Sequence, residues 1–375
     1  MQLFTPVTLG RYTLDHRVVL APTTRLRSEQ PSDTPSDMMA TFYSQRATRG
    51  GLLIAEATGI ARSARSNLGA PGIYTDEHVV GWRKVTDAVH AKGGRIFLQL
   101  FHPGRQAHSS LIDGLDPVAP SVVTTAELIT VTEDGWVQAS PHRALDIDEI
   151  PGIVEDYHAA AQRAVAAGFD GVEVHGANGY LIDEFLQDGS NKRTDAYGGP
   201  VENRARFLFE VLDAVIGVWS ADRVGLRISP SGTYGDMSDS DPQHTFGYVA
   251  ERADPLGLAY LHIIEPRVRG NDTLVAEADP VASADLRKRY GGTIIAAGGF
   301  NGEGAEAIVG SGAADLVAFG RLFTSNPDLP RRLRLGYPLT HYDRSTFWGG
   351  TEQGYTDFPD YAEPQADASA RLPIP

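Results

Sequence analysis

Residues 293–320 read TIIAAGGFNGEGAEAIVGSGAADLVAFG, and this stretch decides the fold. Its two ends, 293–299 and 314–320, are short runs of nearly continuous apolar sequence, and each run closes on glycine. Strands that are covered on both faces by helices have this composition, because neither face meets water. The stretch therefore predicts two buried parallel strands, each followed by a glycine turn.

Six further runs of the same kind precede this stretch. They span residues 17–22, 51–58, 95–101, 169–176, 224–230 and 259–266. Helical patterns lie between the runs, and the clearest covers residues 149–167, where apolar side chains recur every three or four positions until Gly168. That apolar stripe consists of Ile150, Ile153, Val154, Tyr157, Ala160, Ala161, Ala164 and Val165. Eight strands alternating with helices favour an α/β fold, a closed (β/α)8 TIM barrel, over the alternative of a doubly wound open sheet.

Two segments interrupt this alternation. Residues 1–16 are expected to form a short hairpin that closes one end of the barrel, and residues 103–148 an excursion after the third strand. Within the excursion, two β-rich runs flank a Glu-Asp-Gly turn signal, so residues 130–138 predict a hairpin that caps the barrel mouth. We expect residues 1–361 to form one barrel unit and the Pro-, Ala- and Asp-rich residues 362–375 a loosely ordered C-terminal tail.

Composition excludes several classes of function. The 375 residues carry 33 Lys and Arg against 48 Asp and Glu, a formal net charge of −15, which argues against a nucleic-acid partner. Cysteine is absent from the sequence, so disulfides, cysteine nucleophiles and thiolate-bound metal clusters are excluded. The sequence shows neither a signal peptide nor an apolar run of about 18 residues, so no membrane partner is expected and the expected location is cytoplasmic.

The ends of the last two predicted strands indicate a phosphate site. In this fold, functional residues gather where each strand ends, and phosphate is commonly bound after strands seven and eight. Gly298 and Gly299 follow one strand, and Gly320 and Arg321 follow the other. Bare backbone N–H groups can approach an anion there, and Arg321 adds a charged fork. A phosphorylated ligand is therefore predicted, either a cofactor or a substrate.

The fourth predicted strand ends in a second group of polar residues, His175, Asn178 and Tyr180. A histidine and an asparagine side by side can donate two hydrogen bonds to one oxygen, and the tyrosine can transfer a proton. The alternative is a satisfied core histidine beside a packing tyrosine. A metal site is not expected, although ligands can be imagined in His175, Glu173, His102 and His262.

Arg227 and Gln99 end the fifth and third predicted strands. A buried arginine needs an anionic or carbonyl-rich partner, and a glutamine amide both donates and accepts hydrogen bonds. Together they match the mixed donors and acceptors on the pyrimidine edge of a flavin.

With these residues in place, the chain resembles the Old Yellow Enzyme family of FMN-dependent ene-reductases, in its classical branch, from about residue 4 to residue 359. The motifs that carry the resemblance are Ala21-Pro22-Thr23-Thr24-Arg25, Tyr43-x-Gln45-Arg46-Ala47, Pro71-Gly72-Ile73-Tyr74, Gln99-Leu100-Phe101-His102-x-Gly104-Arg105, Gly168-Phe169-Asp170-Gly171-Val172-Glu173-x-His175, Asn191-x-Arg193-x-Asp195-x-Tyr197-Gly198-Gly199, Arg227-x-Ser229-Pro230 and Gly354-Tyr355-Thr356-Asp357.

The resemblance implies non-covalent FMN and a role for each matching residue. Thr24 would form a hydrogen bond with the flavin carbonyl at C4 and tune the reduction potential of the flavin. The remaining flavin contacts implied are Pro22, Thr23, Ala57, Gln99 and Arg227, with Gly298, Gly299, Gly320 and Arg321 around the phosphate. The implied pocket walls are Phe101, Tyr74, Tyr234 and Trp348.

The resemblance also implies the reaction. NADPH or NADH passes hydride to FMN N5, which delivers it to the β-carbon of an α,β-unsaturated carbonyl or nitro compound. His175 and Asn178 would hold the substrate oxygen while Tyr180 protonates the α-carbon. The implied partners are small activated alkenes, and the chain is expected to be a monomer or homodimer. Relatives often have Trp where Phe101 stands and Tyr where Trp348 stands, so substrate choice is expected to differ.

Two other functions compete with this interpretation. A lyase or isomerase acting on a sugar phosphate would use the same phosphate site, but it would need a lysine or a catalytic carboxylate at a strand end, and no lysine stands at any of the eight. A non-enzymatic flavin store would leave Tyr180 without a role.

Overall fold

The computed structural model describes residues 1–123, 128–269, 272–273 and 280–362. Within them, eight parallel strands form a closed barrel in chain order. The strands are β1 (Val18–Leu20), β2 (Leu52–Gly59), β3 (Arg95–Phe101), β4 (Gly171–Gly176), β5 (Val224–Ile228), β6 (Tyr260–Ile264), β7 (Ile294–Ala297) and β8 (Leu316–Phe319). Val317 of β8 pairs with Val18 of β1, so the sheet has no free edge. The predicted TIM barrel is confirmed, and the open sheet is excluded.

Helices surround this barrel. They are α1 (Asp37–Arg46), α2 (Asp76–His90), α3 (Ile150–Ala166), α4 (Arg206–Trp219), α5 (Pro242–Ala253), α6 (Ser283–Leu286), α7 (Gly302–Ser311) and α8 (Leu329–Leu335), with short additional helices at Leu181–Leu186, Val201–Arg204 and Arg321–Ser325. Helix α3 confirms the clearest predicted pattern, since Ile150, Tyr157 and Ala164 are fully buried. Val165 was assigned to that buried stripe wrongly: its side chain is 46% exposed.

The N-terminal hairpin closes the bottom of the barrel as predicted. Val7–Leu9 pairs with Tyr12–Leu14 in antiparallel fashion. Leu9 and Leu14 are completely buried and pack with inward-facing residues of the barrel such as Phe97. Because this end is filled by apolar side chains, access to the interior is left to the opposite end, where the strands finish.

The excursion between β3 and α3 contains the predicted capping hairpin. Ile129–Thr132 pairs with Gly135–Gln138, and Val118–Ala119 pairs with Arg143–Ala144. Backbone hydrogen bonds tie the hairpin to the segment that follows β2, with Leu68 N donating to Val131 O over 2.8 Å. The hairpin therefore lies at the end of the barrel where the strands finish. Of the predicted tail, residues 363–375 lie outside the described residues.

Large rings fill the lower part of the barrel interior and dictate glycine on neighbouring strands. The rings of Phe97 and Tyr260 lie 5.8 Å apart between centroids. A Cβ at Gly225 of β5 would lie 2.2 Å from Tyr260 Cζ, closer than any real contact. Gly225 is thus required by packing rather than by a turn.

We predict that Gly225→Ala destabilises the barrel by about 1–3 kcal/mol, the usual cost of overpacking a core. Gly217→Ala is the matched control, because Gly217 lies on α4 and a Cβ there would meet nothing within 4 Å. Alanine is favoured over glycine in a helix, so the control should gain about 0.5–1 kcal/mol. Urea denaturation of both variants measures the difference, and a Gly225→Ala variant as stable as wild type would contradict the packing argument.

Candidate active site

A cavity of about 720 Å³ opens where the barrel strands end. Most of the residues singled out in the sequence line it: Pro22, Thr23, Thr24, Ala57, Phe101, Asn178, Tyr180, Arg227, Tyr234, Gly298, Gly299, Gly320, Arg321 and Trp348. They come from seven different strand ends or from the loops beyond them, and the closed barrel is what brings them together. Gln99, His175 and Tyr74 lie outside this lining.

His175 lies immediately behind the cavity wall. Its ring centroid is 5.4 Å from that of Tyr180 and 5.8 Å from that of Phe101, and those two rings pack edge to face at 4.6 Å. Among the described residues, His175 Nδ1 is buried and has no hydrogen-bond partner. The imidazole is therefore held in place by ring packing, and its Nδ1 is buried rather than open to the cavity.

Tyr74 is placed away from the main cavity. Its hydroxyl donates to Asp33 Oδ2 over 2.7 Å, and Asp33 is in turn paired with Arg65. Tyr74 lines a much smaller neighbouring cavity that also touches Ala57 and Phe101. The tyrosine can thus act on the main cavity only by supporting its wall.

The ends of β7 and β8 form a cup of bare backbone. Gly298 and Gly299 have φ values of 124° and 67°, which favour glycine strongly. A Cβ at Gly299 would lie 3.2 Å from Arg321 Nη2, so the guanidinium lies directly against the glycine turn. Arg321 also donates to Thr273 Oγ1 over 3.1 Å, which helps to fix its position. The cup combines unobstructed N–H groups with a positive charge, the chemistry that a phosphate group requires.

Beneath the cavity, a polar network crosses the barrel interior. Gln99 Nε2 donates to Glu173 Oε1 over 2.7 Å, and His262 Nδ1 lies 2.8 Å from Glu173 Oε2. Because a carboxylate only accepts hydrogen bonds, the His262 proton must be on Nδ1. Burial by itself raises the pKa of Glu173, but His262, Arg227 and Gln99 together outweigh it, so the pKa is lowered. Glu173 is therefore a buried anion.

Arg227 faces this anion from β5. It stands beside His175 and His262 in the strand register, and its Nε is buried with no partner among the described residues. Burial lowers the pKa of Arg227, while the charge of Glu173 opposes that change. A guanidinium that lines an open cavity suits a ligand that carries a carbonyl or anionic edge.

The loop after β4 is held in one conformation by three side chains that the sequence analysis did not single out as functional. Asn178 adopts a left-handed φ of 59°, which asparagine tolerates better than most residues. Its N–H donates to Ser229 Oγ over 2.8 Å, and the Gly179 N–H donates to Asp183 Oδ2 over 2.8 Å. Gln106 Nε2 donates to Gly179 O over 2.8 Å. This loop is therefore preorganised, and Asn178 remains at the cavity surface.

Burial sets the protonation of the two titratable rings of the site. It lowers the pKa of His175 well below its usual value, an effect that the nearby Arg227 and His262 reinforce. It raises the pKa of Tyr180 above its usual range. At neutral pH the histidine is thus neutral, with one N–H to donate, and the tyrosine keeps its proton.

A segment near the C-terminus forms one wall of the cavity, and buried arginines anchor it. Arg25 Nε donates to Phe347 O and Arg25 Nη2 to Gly354 O, each over 2.8 Å. Tyr355 stacks on Phe42 of α1 with ring centroids 4.3 Å apart. These contacts join motifs that lie more than 300 positions apart in the sequence, and they fix Phe347 and Trp348 at the cavity.

Several residues of the site were not identified as functional from the sequence. Asp183, Ser229 and Gln106 position the loop, and Glu173 and His262 form the network beneath the cavity. Glu173 and Ser229 do fall within the family motifs quoted above, and their place in those motifs could have indicated that they are functional. Their contacts depend on neighbouring strands, which composition does not reveal.

Within the described ranges, no three His, Asp or Glu side chains come together in a group that could hold a metal ion. No helix in the described part of the chain combines the length and the apolar character that crossing a bilayer would need.

Comparison with known proteins places this geometry in context. The profile of the NADH:flavin oxidoreductase / NADH oxidase family matches residues 2–340. The chain is 46% identical to 12-oxophytodienoate reductase 1 of Oryza sativa subsp. japonica, over 95% of this chain and 92% of that protein. It is similar to morphinone reductase in complex with tetrahydroNAD, with a TM-score of 0.89 and 46% identity over 99% of each chain. It also resembles the old yellow enzyme homologue of Zymomonas mobilis, with a TM-score of 0.91 and 41% identity over 95% of this chain and 99% of that one.

His102, just beyond β3, gives a pH-dependent prediction. Its Nδ1 accepts from Gly104 N over 3.1 Å, and burial lowers its pKa to about 3. Below about pH 6.5 the His102 imidazole binds a proton in the unfolded chain but not in the folded protein. The contribution of His102 should therefore lower the free energy of unfolding by about 1.4 kcal/mol for each pH unit that the pH falls. His102→Asn keeps a polar acceptor and should remove that slope. Urea unfolding of both proteins between pH 6.5 and 5 tests this, and identical slopes would contradict it.

Proposed function

Because the chain belongs to the NADH:flavin oxidoreductase / NADH oxidase family, the Old Yellow Enzyme family, we propose that this oxidoreductase reduces carbon–carbon double bonds conjugated to a carbonyl or nitro group. Its cofactor in this proposal is FMN, and its hydride donor is NADPH or NADH. One observation carries the proposal: a single cavity joins the glycine cup and Arg321 to Arg227, Asn178 and Tyr180.

The residues of this cavity fit FMN in charge and hydrogen-bonding character. Gly298, Gly299, Gly320 and Arg321 would hold the phosphate without covalent attachment. Pro22, Thr23, Thr24 and Ala57 would contact the isoalloxazine ring, with Arg227 and Gln99 towards its pyrimidine edge. Arg227 lines the cavity and brings a guanidinium to that edge. When bound, FMN supplies the two-electron carrier that takes hydride from a nicotinamide and returns it to an alkene.

His175 and Asn178 are proposed to bind the oxygen of the substrate's activating group. The neutral imidazole of His175 keeps one N–H for donation, and the Asn178 amide adds a second donor. Two donors aimed at one oxygen stabilise the negative charge that develops there as the double bond accepts hydride. Because ring packing and the loop contacts of Ser229 and Asp183 fix both residues in advance, little reorganisation is needed during the reaction.

Tyr180 is proposed to protonate the α-carbon. Its hydroxyl keeps its proton at neutral pH because burial raises its pKa, and its ring is wedged against Phe101 and His175. Thr24, at the end of β1, is proposed to tune the cofactor through a hydrogen bond. The substrate would lie against Phe101, Tyr234 and Trp348, with Tyr74 supporting the wall from behind.

The relatives support this class of reaction. Two of them are named as reductases of 12-oxophytodienoate and of morphinone, and the latter forms a complex with the nicotinamide analogue tetrahydroNAD. The proposal also includes one FMN-binding unit over residues 1–361, a cytoplasmic location and a monomeric or homodimeric state. Comparing the rates at which NADPH and NADH reduce the flavin would measure which donor the enzyme prefers.

We predict that the purified protein is yellow and releases intact FMN on heating. Arg321→Ala should weaken FMN retention by roughly 1.5–3 kcal/mol, the contribution of a hydrogen bond to a charged group. Arg334→Ala is the control, because that guanidinium packs over Phe4 away from the cavity. Equilibrium titration of the apoprotein with FMN gives the dissociation constant of each variant and of the wild type. A colourless protein, or colour that stays with the denatured chain, would overturn the cofactor assignment, and a colourless protein would favour the sugar-phosphate lyase.

We predict that Tyr180→Phe separates the two half-reactions. Flavin reduction by NADPH should stay within a few-fold of wild type, since that step needs no proton from Tyr180. Reoxidation by 2-cyclohexenone should slow by about 10²–10⁴-fold, the usual contribution of a positioned general acid. Stopped-flow absorbance measures both rates.

Tyr234→Phe serves as the matched control for this experiment. Tyr234 lines the same cavity and loses the same hydroxyl, but it has no assigned role in proton transfer. An unchanged enone rate in Tyr180→Phe would remove Tyr180 from the mechanism. Equal slowing of both half-reactions would indicate a disturbed pocket, and a protein that NADPH cannot bleach would favour a passive flavin store.

A further inference from the structure

Two tryptophans from separate segments meet at the cavity mouth. Trp136 lies on the strand Gly135–Gln138 of the capping hairpin, and Trp348 lies in the anchored C-terminal segment. Their ring centroids are 5.4 Å apart at an interplanar angle of 80°. Both line the cavity that contains Tyr180, and yet they remain 53% and 41% exposed. Each indole therefore presents apolar surface to whatever occupies the mouth.

The capping hairpin shows the reverse of the usual burial pattern. Thr130 and Thr132 are buried, whereas Ile129, Trp136 and Gln138, on the opposite face, are exposed. The register pairs Ile129 with Gln138 and Val131 with Trp136, so this face carries three large apolar side chains and one polar one. Proteins normally bury such a face, and an apolar patch left open beside a cavity is typical of a ligand site.

Neither tryptophan is needed to hold its segment in place. The hairpin is fixed by the Leu68–Val131 backbone bond and by Val131 N donating to Asn67 Oδ1 over 2.9 Å. The C-terminal segment is fixed on both sides of Trp348, because Arg25 Nε donates to Phe347 O and Gly349 N donates to Arg25 O. The two indoles are thus carried on rigid supports, with their faces left for contact.

We propose that Trp136 and Trp348 form an outer subsite for a planar aromatic group carried on the β-carbon of the substrate. This proposal rests on the proposed function and specifies its substrate class. A substrate whose oxygen lies at Asn178 cannot extend into the floor, which Arg227 and the buried network occupy. Its far end must leave through the mouth, alongside the two contacting indoles, where a flat ring finds exposed aromatic surface.

The apolar nature of this rim favours an aryl group over the adenine of a coenzyme. Adenine has a polar edge that needs hydrogen-bonding partners, whereas Ile129, Val131 and Trp136 offer apolar surface. Two polar side chains adjoin this surface: Asn67, whose Oδ1 holds Val131 N and whose Nδ2 donates to Ser66 Oγ, and Gln138, which is exposed at the end of the strand opposite Ile129. An aryl substituent needs no such partners, so it is the occupant that the rim accommodates without leaving polar groups unpaired.

A matched pair of substrates tests the subsite. 1-Nitropropene and trans-β-nitrostyrene carry the same activated alkene and differ in having methyl or phenyl on the β-carbon. In Trp136→Ala, the ratio of kcat/KM for the phenyl over the methyl substrate should fall about tenfold, with Trp136→Phe restoring much of it. Val137→Ala, on the opposite face of the same strand, should keep the wild-type ratio.

Binding without turnover provides a second readout. Calorimetric titration of the FMN-loaded enzyme gives the affinities for 4-phenylphenol and for phenol. The ratio of the first affinity to the second should fall in Trp136→Ala as the kcat/KM ratio does. Trp348→Ala provides an independent variant if Trp136→Ala folds poorly. If wild type reduces neither nitroalkene, the proposed function fails. If it reduces both and the ratio is unchanged in the tryptophan variants, only the subsite is overturned. A raised KM for NADPH, or a changed oligomeric state on gel filtration, with an unchanged ratio would also overturn it by identifying adenine or a second copy as the occupant.

Discussion

Arg227 brings a positive charge into the interior of the barrel, and it can do so because Glu173 provides a negative charge beneath the same cavity. Isolated buried charges are costly, so each makes the other tolerable. Glu173 in turn holds Gln99 and His262, and the charge of Arg227 helps to keep the pKa of His175 low. The hydrogen-bonding character of the cavity floor therefore depends on the long-range attraction between these two buried charges. Burial is the main reason that His175 is neutral, and the charge of Arg227 reinforces it.

The upper part of the cavity depends on a different kind of contact, namely arginine bound to backbone carbonyls. Arg25 and Arg46 reach from the start of the chain to the carbonyls of residues near its end, including Phe347 and Tyr355. These guanidiniums fix a segment that has little regular secondary structure of its own, and that segment carries Trp348. A wall built in this way is rigid, although composition alone would class it as a loop.

The proposed reaction requires that donors stand in place before the substrate arrives. Ser229 and Asp183 fix the backbone around Asn178, and ring packing fixes His175 and Tyr180. A water-filled or flexible site would lose part of its electrostatic advantage to reorganisation. The exposed indoles at the mouth differ from this pattern, because they are preorganised but have no covering partner in the described part of the chain.

The sequence by itself favoured the barrel, because nearly continuous apolar runs are typical of strands buried on both faces, and eight of them alternate with helical patterns. It also located most of the site, since strand ends converge in any closed parallel barrel. Only the tertiary structure decided which way the side chains at those ends point. Tyr74 turns to Asp33, Gln99 turns down to Glu173, and the apolar face of the capping hairpin turns to the mouth. Tyr74 and Gln99 take these orientations from partners 41 and 74 positions away in the sequence, which no local pattern records.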